Sequence, residues 1–159
     1  MNKKTGLIIL AVIAIVVLYS LSTYNGLVTR REAVDGQWAQ VETQYQRRFD
    51  LIPNLVESVK GVMAQEQAVF TALADARTHY SGAQTINDKA VAAGQVESAL
   101  GRLLAIVENY PQLKSSENVQ TLMVQLEGTE NRVSVERKRF NDMVRVFNVS
   151  TKRFPGSIV

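Results

Sequence analysis

The chain contains no cysteine. That excludes a disulfide framework, a thiolate metal site and thiol nucleophilic catalysis, and it removes the residue that a lipidated lipoprotein needs. Histidine is almost as scarce, with His79 the only one. It has no HExxH partner and no second imidazole, so a zinc or iron centre would need an all-carboxylate helper set. The simpler expectation is a solvated histidine at a loop end. Carboxylate pairs such as Glu127 and Glu130, or Asp75 with Glu66, lack the Glu-x-x-His partners that di-metal bundles use, so they read as surface ion pairing. There is no glycine-rich phosphate loop, no Ser-His-Asp set and no lysine in a Walker context. The chemistry that these absences leave is a protein without enzymatic activity and without a cofactor or metal.

What the chain does have is one long apolar run. Gly6 to Tyr24 carries no charge and is close to the ~20 residues that a spanning helix needs, with Tyr19 and Tyr24 where aromatic rings favour the lipid headgroup level. Lys3 and Lys4 precede it. A cleavable signal peptide shares that basic start, but this run is long for one. Its best small-residue pair, Ala11 and Ala14, lies inside the run rather than after it. The expectation is a retained, single-pass anchor in which residues 1–5 form a basic tail and 6–24 the transmembrane segment. Residues 25–153 then form one helical bundle and 154–159 a C-terminal tail. Lys3 and Lys4 favour a cytoplasmic N-terminus, whereas Arg30, Arg31, Arg47 and Arg48 after the span pull the other way. The resemblance of the start to a signal anchor favours the N-terminus inside and the domain outside the cytoplasm.

Beyond Tyr24, three prolines in the whole chain and the absence of an alternating pattern argue against strands. Apolar residues instead recur at steps of three and four. The fold class expected is all-α: an N-terminal transmembrane helix followed by an up-and-down antiparallel bundle of four helical segments. A first stripe runs through Val34, Trp38, Val41 and Tyr45, a candidate core or interface set, and continues past Ile52, Leu55, Val59 and Val62 to Tyr80. Arg48 and Glu66 fall on the same stripe, where a buried charge must be paired unless its stem snorkels to the edge. Pro53 either begins a second helix or kinks a continuous one, because its missing N–H leaves the carbonyl of Phe49 without a helical partner. A break there gives four segments of matching length, while the unbroken phase of the stripe favours the kink.

A second stretch, capped by Asn87 or Asp88, is expected to turn Val91, Val96, Leu100, Leu103, Leu104 and Val107 inward. Tyr110-Pro111 ends it, and Ser115 or Ser116 caps a last helix with Val119, Leu122, Leu126, Thr129, Val133, Phe140, Val144 and Phe147 on one stripe. Gly94, Gly101 and Gly128 mark either close helix contacts or plain tolerance.

Two polar clusters stand out. Arg47, Arg48 and Asp50 beside Pro53 form either a partner-docking corner or a local pairing that fixes a turn. From Arg132 to Arg153 the chain carries seven basic and two acidic residues, net +5 against +3 for the whole. Such a helix end complements the helix dipole. In an up-and-down bundle it also brings Arg137, Lys138, Arg139, Arg145, Lys152 and Arg153 back to the lipid surface, where they are candidate membrane contacts. Nucleic acid is not an expected partner, since interleaved exposed aromatics are missing.

Several segments carry a resemblance. Tyr24-Asn25-Gly26-Leu27-Val28, Trp38-Ala39-Gln40-Val41-Glu42, Arg47-Arg48-Phe49-Asp50-Leu51-Ile52-Pro53-Asn54-Leu55-Val56 and Tyr110-Pro111-Gln112-Leu113-Lys114 resemble the LemA family. So do Leu126-Glu127-Gly128-Thr129-Glu130-Asn131-Arg132, Phe140-Asn141, Asn148 and Phe154-Pro155. The resemblance implies a membrane-anchored up-and-down helical bundle of bacteria, without an established enzymatic activity, one branch of which is associated with magnetosome membranes. Some relatives carry a lipoprotein cysteine just before the Tyr-Asn pair, where this chain has Ser22 and Thr23. The functional expectation is a membrane-anchored, non-enzymatic scaffold that self-associates and organises the bilayer or its proteins. The alternative is an adaptor or regulator of an integral-membrane enzyme such as a protease. The partners expected are the lipid bilayer, further copies of the chain and a membrane protein.

Overall fold

The computed structural model describes residues 3–158. Met1 and Asn2 of the basic tail and Val159 of the C-terminal tail lie outside the described residues. Five helices follow in order: α1 Lys3–Val59, α2 Gln67–Gly82, α3 Ile86–Val107, the single turn α4 Pro111–Lys114 and α5 Glu117–Lys152. No strand occurs among the described residues, so the all-α expectation holds.

Pro53 neither starts a helix nor ends one, for α1 runs through it to Val59. The reason is its side of the helix. Tyr45, Phe49, Ile52, Leu55 and Val59 are buried on one face, while Pro53 is exposed. The orphaned carbonyl of Phe49 therefore costs less than losing the phase of the buried stripe would. The chain turns instead at residues 60–66. There the Val59 carbonyl accepts from the amides of Val62 and Met63 at 3.1 and 2.9 Å, and Met63 is wholly buried. That shift in phase places Met63, not Val62, in the core.

The described residues form two compact units, one of residues 41–135 and one made of the chain before Val41 and after Val135. In the first, the end of α1, α2, α3 and the start of α5 make an up-and-down bundle. Ser58 of α1 accepts a hydrogen bond from Asn118 of α5, and Arg48 pairs with Glu130 further along α5, so α5 runs antiparallel to α1. Tyr80 near the end of α2 meets the rings of Tyr45 and Phe49 at 5.9 and 4.8 Å, and Lys89 near the start of α3 pairs with Glu42. The core between them holds Val41, Ile52, Leu73, Val96, Leu100, Leu103, Leu122 and Leu126.

Helix α3 is long and apolar enough to cross a membrane, but its Ala92, Ala93, Val96, Ala99, Leu100, Leu103 and Val107 are buried, which makes it a core helix. Val91, expected inward, is 58% exposed; alanines take the inward positions because they let α3 sit close to its neighbours. The cap is Thr85 rather than Asn87 or Asp88. Its Oγ1 accepts from the amide of Asp88 at 3.1 Å and donates to the carboxylate of the same residue at 2.7 Å. The hydroxyl thus caps the first turn, and the Asp88 carboxylate holds it in place. Gly94, Gly101 and Gly128 make no close approach: a methyl group at each would meet nothing within 4 Å.

In the other unit, α1 up to Gln40 lies antiparallel to α5 from Glu136. Gln37 donates to the Glu136 carboxylate at 2.7 Å, Trp38 packs its ring on Phe140 at 5.2 Å, and Arg30 donates to the hydroxyl of Ser150.

Candidate functional site

The first functional feature is the start of α1. From Leu7 to Leu18 every leucine, isoleucine and valine is exposed, and so are Tyr19, Leu21 and Tyr24. An exposed apolar surface of this extent is stable only against another apolar phase. Of the three serine and threonine hydroxyls in the run, two are satisfied within the helix, Ser20 donating to the Val16 carbonyl and Thr23 to that of Tyr19, both at 2.9 Å. Such internal bonds lower the cost of a hydroxyl in lipid. This is the membrane-associating part of the chain.

Directly beyond it, α1 and the end of α5 border a groove of about 700 Å³ lined by Tyr19, Thr23, Gly26, Leu27 and Arg30 on one side. Arg145, Val146, Val149, Ser150 and Arg153, with the turn Phe154-Pro155-Gly156, form the other. Arg30 is held by the Ser150 hydroxyl, which itself donates to the Val146 carbonyl at 2.7 Å. Arg145 pairs with Asp142 at 3.0 Å. The turn folds back on the last turns of α5, the amide of Ser157 donating to the Arg153 carbonyl at 3.0 Å. Gly156 allows this: a Cβ there would lie 2.2 Å from the Ser150 carbonyl oxygen, a position no side chain can share.

The six basic residues expected at the lipid surface therefore separate. Arg145 and Arg153 line the groove beside Tyr19 and Thr23, and Lys152 ends the same helix. Arg137, Lys138 and Arg139 stand instead at the level of Gln37 and Trp38, about 21 Å beyond Tyr24 along α1 at ~1.5 Å per residue. Arg139 is there paired with Glu136 at 2.8 Å. Arg30 was the missed member of the groove: it entered the sequence reading only through its charge after the span, and nothing in the sequence signals its meeting with Ser150.

In the residue 41–135 unit, the Arg47, Arg48, Asp50 and Pro53 set lies within α1, which continues past it to Val59, so there is no turn at Pro53 for it to fix. Asp50 accepts from Gln46 at 2.7 Å, and Arg47 is exposed. Arg48 is buried and pairs with Glu130 rather than snorkelling. Burial pushes its guanidinium below the ordinary value, against the opposing fields of Glu97 and Tyr45. A second groove, of about 630 Å³, opens beside it between Leu104, Met123 and Val124. Val34 is half-buried and Trp38 buried in one unit, while Val41 and Tyr45 are buried in the other. His79 is exposed, its Nδ1 3.3 Å from Gln95 Oε1. No group of three or more His, Asp or Glu side chains is placed to hold a metal ion among the described residues.

A bundle of antiparallel helices joined to a helix with an exposed apolar start defines a membrane-associated α-helical protein. The chain belongs to the LemA family, whose model matches residues 37–159. It is 29% identical over 161 aligned positions to Magnetosome protein MamQ of Magnetospirillum gryphiswaldense, covering 85% of this chain and 59% of that protein. Magnetosome proteins MamQ 1 and MamQ 2 of Paramagnetospirillum magneticum are each 27% identical over 178 positions, covering 94% of this chain and 65% of theirs. The chain thus spans less than two thirds of the length of these curated relatives.

Proposed function

We propose that this protein is a single-pass membrane scaffold without enzymatic activity, which self-associates and organises the bilayer or the proteins in it. The observation that carries the reading is the exposed apolar start of α1, continuous with a helix of the bundle. On this reading the N-terminus lies in the cytoplasm and the bundle outside it, an orientation that Lys3 and Lys4 before the span support. Arg30, Arg145, Lys152 and Arg153 then face the lipid surface, while Arg137, Lys138 and Arg139 stand more than a Debye length of ~10 Å from it and contribute little to lipid attraction. The relation to magnetosome proteins is in keeping with a role at a membrane-bounded structure.

The test is reconstitution of the full chain in liposomes of neutral lipid, with oligomers measured by cross-linking as protein density rises. Homo-oligomers on lipid alone support the scaffold. A chain that stays monomeric, and that retains a membrane protein in stoichiometric amount through a mild-detergent pull-down, is instead an adaptor for that protein. A metal or small molecule that purifies with the chain in stoichiometric amount would point to an enzyme.

A further inference from the structure

We propose that the groove between α1 and the end of α5 seats the headgroup phosphate of one acidic phospholipid. The inference deepens the reading of α1 as a membrane anchor and rests on it for the depth of the groove. Tyr19 and Thr23, at the end of the apolar run, line one side of it, so the groove lies at the level of the lipid headgroups when α1 enters the bilayer.

Charge and shape then select the occupant. Three guanidinium groups, those of Arg30, Arg145 and Arg153, line the groove, and no carboxylate does; Asp142, the partner of Arg145, is not part of the lining. Planar guanidinium forks match phosphate oxygens two at a time. The remaining wall is apolar and open to water: Val146 is 52%, Val149 40% and Phe154 75% exposed. A free anion would satisfy the arginines and leave that wall wet, whereas a phospholipid brings phosphate and hydrocarbon together. The site is also held in shape before any ligand arrives. Arg30 is fixed by Ser150, Ser150 by the Val146 carbonyl, and the closing turn by the close approach of Gly156 to Ser150. A volume of about 700 Å³ suits a headgroup.

The experiment uses the full chain in neutral detergent micelles, offered equal amounts of phosphatidylglycerol and phosphatidylcholine. Retained lipid is counted by native mass spectrometry, with circular dichroism as the check on folding. Wild type should retain one phosphatidylglycerol in preference to phosphatidylcholine. Arg153→Gln, at an exposed position on the last turn, and the double variant Arg30→Gln with Arg153→Gln should lower that retention by about fivefold for each charge removed. Lys138→Gln, which removes the same charge outside the groove, should leave it unchanged. Equal retention of the two lipids, an undiminished preference in the double variant, or an equal drop in Lys138→Gln would each overturn the site. Displacement of the lipid by an equal concentration of inorganic phosphate would also overturn it, by assigning the arginines to a free anion. Failure of the full chain to float with liposomes bears on the anchor alone and is read separately from retention in micelles.

Discussion

Arg48 gives up almost all contact with water to meet a partner that keeps much of its own: its side chain is 9% exposed, that of Glu130 45%. The pair is therefore lopsided. Removing the exposed partner takes the ion-pair partner from a buried cation, and Glu130→Ala should cost about 1–3 kcal/mol. Replacing both, as Arg48→Met with Glu130→Gln, removes the desolvated charge and should come close to wild-type stability. Thermal melting of the full chain followed by circular dichroism separates the two. A Glu130→Ala variant that melts like wild type would remove the pair from the account of stability.

Trp38 is 8% exposed and rests on Phe140 with ring centroids 5.2 Å apart and planes inclined at 59°. Trp38→Ala should destabilise by about 3–5 kcal/mol. Of this, roughly 0.5–1.5 kcal/mol should be specific to the ring pair and appear as coupling in a double-mutant cycle with Phe140→Leu. Strictly additive effects would mean that the rings contribute only buried area.

Tyr80 sets a limit at alkaline pH. Burial, then the nearby Glu42 and Tyr45, push its phenol from 10.0 up to about 12. In the folded state the phenol keeps its proton to higher pH than in the unfolded chain, so unfolding releases a proton in that window and stability falls as pH rises. Below the unfolded value both states are protonated and there is no dependence. The loss across the window should approach ~2–3 kcal/mol. Tyr80→Phe should flatten the alkaline end of the stability profile; a profile identical to that of wild type would show that another group is responsible.

Glycines at different places should respond in opposite senses. Gly101→Ala, at an exposed position of α3 with open space around it, should raise stability by about 0.5–1 kcal/mol. Gly156→Ala meets the Ser150 carbonyl oxygen at 2.2 Å and should displace the turn after α5 without unfolding the rest. Hydrogen exchange of the Ser157 and Ile158 amides reads that displacement. Unchanged protection there would mean that the turn can shift to accept a methyl group.

Helical periodicity predicted most of the architecture because the buried residues of α1 and α5 are large and sit at steps of three and four: Trp38, Val41, Tyr45, Ile52 and Leu55, then Val119, Leu122, Leu126 and Val133. It left Pro53 open between a break and a kink because proline is the strongest local breaker in the segment, whereas its exposed position lets the helix tolerate it. The actual turn at residues 60–66 has only Gly61 as a local sign, and what fixes it is tertiary: the burial of Met63. In α3 the apolar pattern favoured Val91 over Ala92 and Ala93, since hydrophobicity ranks residues by size whereas close packing here selects small ones. The groove was legible only as scattered charge. Arg30 and Ser150 are far apart in sequence, and their meeting follows from the antiparallel return of α5, which no local pattern records.

The ring pair of Trp38 and Phe140 has one more use, because Trp38 is the only tryptophan in the chain. Its emission arises from a single environment, on the face where α1 before Val41 meets α5 after Val135. A red shift during gradual heating or addition of denaturant therefore times the wetting of that face alone, while hydrogen exchange at buried core positions such as Leu100 and Leu103 times the opening of the other unit. The unmodified protein thus carries a built-in optical clock for one unit, and whether it runs together with the exchange of the other decides if the two units melt in one step or in two.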